Sequence, residues 1–240
     1  MKNLHLPIKL DQEINAFIQS LKEIYGNDLL SVILYGSASS GEFVTNHSNL
    51  NILVLLKSTE LTLLKKASKI VKKFKKLTPL FLTPEFIHSS TDIFPIEFLD
   101  MQENYNILYG QDILKDIHVD LKNLKFQCEQ ELKVKLLNLK QVYLNLNRQP
   151  VNLREPLFKA FTSILHILRN VLRLKGILPP YPKEDLLKKL ALHLKIDICC
   201  WRKIQAAKSK KIKLSKAEIE ELFSILVDNL EKITQDVDVL

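Results

Sequence analysis

Apolar side chains recur at helical spacing from Asp11 to Tyr25, at Ile14, Phe17, Ile18, Leu21 and Ile24, and Gly26 closes the segment. The pattern then changes. Leu29 to Tyr35 is a run of Val, Ile and Leu that stops at Gly36, the form of a buried strand ending in a turn. Asn51 to Leu56 is a second such run. Ser58 or Thr59 can cap a helix reaching about Lys76, with Leu61, Leu64, Ala67, Ile70, Val71 and Phe74 on one stripe. Pro79 to Leu82 predicts a third strand. Thr83-Pro84 marks a short helix over Glu85 to His88, with Pro at the first helical position. Phe94 to Met101, where Glu97 stands between apolar neighbours, predicts another strand, and Tyr105 to Tyr109 a further short one ending at Gly110.

From Asp120 onward the periodicity is helical throughout. One long helix runs from about 120 to 148 and stops at Gln149-Pro150. A second spans roughly Leu153 to Lys175, ended by Gly176 and Pro179-Pro180-Tyr181-Pro182. Lys183–Leu194 and Asp197–Ala207 predict two more. Ser215-Lys216-Ala217-Glu218 has the spacing of a capping box for a last helix to about Asp236. The expected fold class is therefore α+β: a mixed sheet with flanking helices over residues 1–112, then an all-α bundle over 113–240.

The candidate chemistry lies between the first two strands. Gly36-Ser37 ends one, and eleven residues later Asn49-Leu50-Asn51 opens the other. Glycine lets a backbone approach a ligand or take positive φ without steric cost. The Ser37 hydroxyl and the amides after it suit an anion. Asn49 and Asn51 are two apart on a strand, so both amides face the same side.

Strand, Gly-Ser turn, spacer and Asn-x-Asn strand together resemble the active-site signature of the DNA polymerase β-like nucleotidyltransferase superfamily, in its two-domain form with a C-terminal helical domain. The resemblance implies a nucleotidyltransferase-like mixed sheet, nucleotide phosphates at Gly36 and Ser37, and ATP or another NTP as ligand. In that family two carboxylates at the spacing of Asn49 and Asn51 hold two divalent cations, and a third carboxylate sits on a later strand. Glu97, within the predicted strand Phe94–Met101, is the candidate for that catalytic and metal-binding role; Asp100 has the opposite parity. Asparagine offers a neutral carbonyl and removes one negative charge per position. Mg²⁺ prefers anionic oxygen, so its binding at Asn49, Asn51 and Glu97 is expected to be weak or absent. Phosphoryl transfer relies on charge stabilisation, so activity is expected to be impaired.

Bulk properties modify this picture only slightly. The net charge of +8 and a pI near 9.2 permit anionic partners. The lysines at 65, 66, 69, 72, 73, 75 and 76 read as the solvated face of an amphipathic helix. Aromatic residues do not interleave with them, so nucleic acid is weakly supported as a partner. Cys128, Cys199 and Cys200 give neither a C-x-x-C motif nor a disulfide framework, and the adjacent pair reads as buried apolar residues. MKNLHLPIKL lacks a signal-peptide core, no apolar run reaches membrane-spanning length, and the expected location is cytoplasmic. Arg169 and Arg173 share a helix face near His166; salt bridges to neighbouring helices, with Glu155 or Glu97 as partners, are the favoured reading over a phosphate contact. His47 and Ser48 read as loop residues beside the Asn-x-Asn pair.

Three functional readings follow. The leading one is a nucleotide-binding or regulatory protein with a degenerate metal site, a pseudoenzyme. A second is an active NMP transferase to a small-molecule, tRNA or protein hydroxyl, with Glu97 holding one metal. A third is an antitoxin-like or scaffold module that forms a homodimer through the long 120–148 helix.

Overall fold

The structure is a computed structural model that describes residues 7–36, 50–145, 152–194 and 196–240. The chain divides into two compact units, Met1–Asp120 and Leu121–Leu240.

In the first unit, β1 (Leu29–Tyr35) and β2 (Leu50–Leu56) pair antiparallel at the centre of a four-stranded sheet. β2 continues through α2 (Leu61–Lys73) into β3 (Leu77–Leu82), which returns parallel beside it. β4 (Tyr105–Gly110) lies antiparallel on the other side of β1, giving the order β3-β2-β1-β4. A strand–helix–strand connection is what a parallel pair requires. Pro79 cannot donate to a ladder and sits in β3, at the edge of the sheet.

Helices cover both faces, which is why the two central strands read as continuous apolar runs. Val32, Leu34, Ile52, Val54 and Leu56 pack with Phe17 and Leu21 of α1 (Ile8–Tyr25) and with Ala67 of α2. Phe17 meets Phe74 edge to face, ring centroids 5.6 Å apart. The alternate positions Ile33, Leu53 and Leu55 pack with Ile87 of α3 (Pro84–Ser89) and with Phe98 and Met101 of α4 (Pro95–Glu103).

Two expectations for this unit need correction. The predicted strand Phe94–Met101 is the helix α4. Its buried residues include Pro95, Phe98 and Met101, which are three apart, and Pro95 occupies the first helical turn. Glu97 therefore lies in the first turn of a helix and has no place in the sheet. The N-cap of α2 is Glu60, without a side-chain cap bond, and Ser58 Oγ only accepts from the Glu60 amide at 3.4 Å. The helix start predicted at Thr83-Pro84 does form, and the Thr83 hydroxyl caps it by accepting from the Phe86 amide at 3.1 Å.

The second unit is helical among its described residues: α5 (Leu121–Asn145), α6 (Arg154–Leu174), α7 (Lys183–Leu194), α8 (Ile198–Lys208) and α9 (Lys216–Asp238). α5 packs against α6 and α9, and Tyr143 stacks on Phe223 with centroids 6.2 Å apart. Trp201 is fully buried against Phe161. The capping box at Ser215 and Glu218 is formed in both directions. Of the cysteine pair only Cys200 is buried; Cys199 is exposed where α8 begins, its amide donating to the Asp197 cap. No helix among the described residues is long and apolar enough to cross a membrane.

Candidate functional site

β1 delivers Gly36 to the end of the sheet, and β2 starts beside it. The register pairs Tyr35 with Asn51. The Gly36 amide donates to the Asn104 carbonyl at 3.0 Å, which fixes the turn against the start of β4. Gly36 has φ of +80°, a conformation that favours glycine. A Cβ there would lie 3.3 Å from Asn51 Nδ2, so the Asn51 amide stands directly against the glycine. The two described halves of the signature, Gly36 and Asn51, are therefore brought together. Ser37, Asn49, His47 and Ser48 lie outside the described residues.

The sheet register identifies the neighbours of Asn51. Thr78 on β3 is its parallel partner, Tyr35 on β1 its antiparallel partner, and Tyr105 on β4 the partner of Tyr35. Directly paired residues face the same side of a sheet, so Thr78, Asn51, Tyr35 and Tyr105 form one row across all four strands. The row lies on the face that α3 and α4 cover, since Leu53 and Leu55 alternate with Asn51 onto that face and Tyr35 and Tyr105 pack against the same cluster.

Every member of this row is neutral at physiological pH. Asn51 and Thr78 do not ionise. Burial pushes the Tyr35 phenol up. The Tyr105 phenol is pushed up to about 12, first by burial and then by its hydrogen bond to Asp112 Oδ2, to which it donates at 2.9 Å. Among the described residues no three of His, Cys, Asp and Glu stand close enough to hold a metal ion. An amide, an aliphatic hydroxyl and two protonated phenols do not fit a pair of Mg²⁺ ions, which select anionic oxygen.

Glu97 is half-buried on α4, the helix over the same sheet face. The arginine group of the second unit makes contacts beyond the salt bridges read from the sequence. Arg169 donates to the Pro180 carbonyl at 2.7 Å and its guanidinium lies 5.0 Å from the Tyr181 ring centre. Arg173 donates to Asn170 Oδ1, and the fully buried Asn170 in turn donates to the His166 carbonyl at 3.1 Å. Glu155, proposed as a partner for these arginines, pairs with Lys159 at 2.7 Å.

Thr78, Tyr35 and Tyr105 were not singled out by sequence reasoning. A signal for Thr78 existed. A strand, helix and strand in close succession favour a parallel pair, and sliding β3 along β2 in matched register brings Thr78 level with Asn51.

No family model and no curated protein matches the chain. Among solved structures it is similar to the crystal structure of spectinomycin adenyltransferase AAD(9) from Enterococcus faecialis with ATP and spectinomycin. The TM-score is 0.61 at 9% identity, covering 92% of this chain and 99% of that one. The chain accordingly has a nucleotidyltransferase-like α+β fold: a mixed four-stranded sheet with flanking helices and a C-terminal helical region.

Proposed function

We propose that this chain is a nucleotide-binding protein of nucleotidyltransferase-like fold that has lost the charge needed for two-metal transfer. One observation carries the reading. The strand beginning where the family places its carboxylates presents Asn51, and the residues level with it on both sides, Thr78 and Tyr35, are neutral. The position of the third carboxylate, on a later strand, falls to Thr78, because β3 is the strand beside β2 and Glu97 lies on a helix.

The remaining chemistry is that of an anion cradle. Gly36 permits a close approach of backbone, and Ser37 with the amides beyond it would donate to phosphate oxygens. The Asn51 Nδ2 donor at Gly36 adds a neutral hydrogen-bond donor where a carboxylate would repel phosphate unless a cation intervened. A cradle of this kind binds a nucleotide without requiring Mg²⁺. The similar adenyltransferase was solved with ATP, which makes ATP the first nucleotide to test.

The test is ATP binding and label transfer with and without Mg²⁺, comparing the wild type with an Asn49→Asp/Asn51→Asp/Thr78→Glu variant. The wild type is expected to bind ATP with the same affinity in either buffer and to transfer no label. The restored variant is expected to require Mg²⁺ and to bind at least about tenfold tighter when it is present. Brisk Mg²⁺-dependent transfer by the wild type would falsify the reading. If that transfer were abolished by Glu97→Gln, the active-transferase alternative with Glu97 as metal ligand would take its place.

A further inference from the structure

The positive charge of the first unit is concentrated on one helix. α2 and the turn that follows it carry seven lysines between positions 65 and 76 and no acidic residue. On a helix of 3.6 residues per turn, Lys65, Lys66, Lys69, Lys72 and Lys73 fall within an arc of about 120°. All five are exposed, and among the described residues none of them is paired with a carboxylate. The opposite side of α2 is committed to the core through Ala67, with Leu63, Ile70 and Val71 packed against the same cluster.

The stripe has a direction. Lys75 and Lys76, also exposed, lead from α2 into β3. The Leu50 amide donates to the Lys76 carbonyl at 2.8 Å. Lys76 thus sits at the start of β2, next to the pair Leu50–Leu77 and two residues from the level of Asn51 and Thr78. The lysine row runs along a helix on the sheet face opposite the Asn51 row and leads to the end of the sheet that carries Gly36 and Asn51.

We infer that the lysine face of α2 is a docking surface for the phosphate backbone of a nucleic acid duplex, with the bound duplex running toward the end of the sheet that carries Gly36 and Asn51. Charge complementarity selects the occupant. Lys65 to Lys73 spans about 12 Å of helix axis, and a duplex presents about seven phosphate charges over that length. Lysines on flexible stems are point charges that follow a backbone without reading bases. A lipid surface fits less well: the apolar face of α2 is already buried, and no exposed aromatic side chain stands among the lysines to enter an interface, since Phe74 is buried in the core. The same lack of aromatics removes base stacking, so binding should be sequence-independent and favour duplex over single strand. This inference goes beyond the nucleotide-binding reading and does not depend on it.

Fluorescence anisotropy of the full chain with labelled duplex RNA, over a series of salt concentrations, tests it. The wild type should bind with a steep salt dependence. Lys65→Gln/Lys69→Gln/Lys72→Gln, which alters exposed side chains and keeps good helix formers, should reduce the slope of log affinity against log salt by about three and weaken low-salt binding at least about tenfold. Lys188→Gln/Lys216→Gln in the second unit should change neither. ATP affinity, measured in parallel, should be unchanged in the α2 variant, so loss of RNA binding and loss of nucleotide binding are told apart. The inference is overturned if the wild type does not bind RNA, if the α2 variant binds it with the same affinity and slope, or if the chain prefers phosphatidylserine vesicles to RNA.

Discussion

Gly36 and Gly110 stand at opposite ends of β1, and each is a glycine for a different reason. Gly36, at φ +80°, would bring an added methyl to 3.3 Å from the end of a flexible side chain, Asn51 Nδ2, which can give way. Gly110, at φ +81°, would bring it to 2.0 Å from the Leu30 carbonyl oxygen, which cannot move without breaking the register with Ser31. Both substitutions incur the left-handed penalty of about 1–2 kcal/mol, and Gly110→Ala adds a backbone clash. Urea denaturation should therefore rank Gly110→Ala as clearly the more destabilising of the two. Gly36→Ala should show its larger effect in nucleotide affinity, because it displaces the Asn51 amide from the cradle. Equal stability losses would mean that the β1–β4 edge adjusts freely. At this scale the site was half legible. Gly36 and Asn51 announce themselves because glycine and a polar residue interrupt apolar runs. Thr78 does not, since an exposed threonine on a strand is ordinary and only the register with Asn51 gives it meaning.

Among the elements, the one misassigned is instructive. Phe94–Met101 is mostly apolar, with polar residues only at Glu97 and Asp100, and eight residues are too few to separate a strand period from a helical one. Proline at the second position decides for a helix, and the core decides with it, since Phe98 and Met101 fill the space over Ile33 and Leu53. The last helix was legible for the opposite reason: its start is written in side-chain chemistry. The Ser215 amide and hydroxyl donate to Glu218 Oε2 at 2.8 and 2.9 Å, and the Glu218 amide donates back to Ser215 Oγ at 3.3 Å. These bonds to Ser215, with Lys203 at 3.0 Å, hold the Glu218 carboxyl down to about 2 from its usual 4.5. A depressed folded pKa contributes stability above pH 4.5 that is lost as pH falls toward 2. Ser215→Ala should cost about 1 kcal/mol at neutral pH through loss of the cap. It should also flatten the acid limb of the stability profile slightly, because Glu218 loses the Ser215 hydroxyl while the backbone amide of residue 215 and Lys203 still hold its carboxylate. An acid limb identical to that of the wild type would show that the amide of residue 215 and Lys203 set the carboxyl without the hydroxyl.

At the scale of the whole molecule, the α+β class and the helical second half were readable because hydrophobic period is a local property that survives any arrangement in space. What no local property carries is strand order. β4 follows β3 in sequence yet pairs with β1, and that pairing places Tyr105 in the row with Asn51. The two units also differ in what holds them. The first is a sheet with a core on each face, and the second buries its only tryptophan, Trp201, among helices. Each has about the length at which a single core suffices for independent folding. A fragment spanning Leu121–Leu240 should therefore fold alone. Its Trp201 emission should be blue-shifted, and urea should unfold it in one cooperative transition, with an m-value in the range of about 1–3 kcal/mol/M. Tryptophan then reports the helical unit and nothing else, so an ATP-induced change in far-UV dichroism melts without a matching change in Trp201 would assign nucleotide binding to the sheet unit. A red-shifted, non-cooperative fragment would mean that α5–α9 hold their core only within the intact chain.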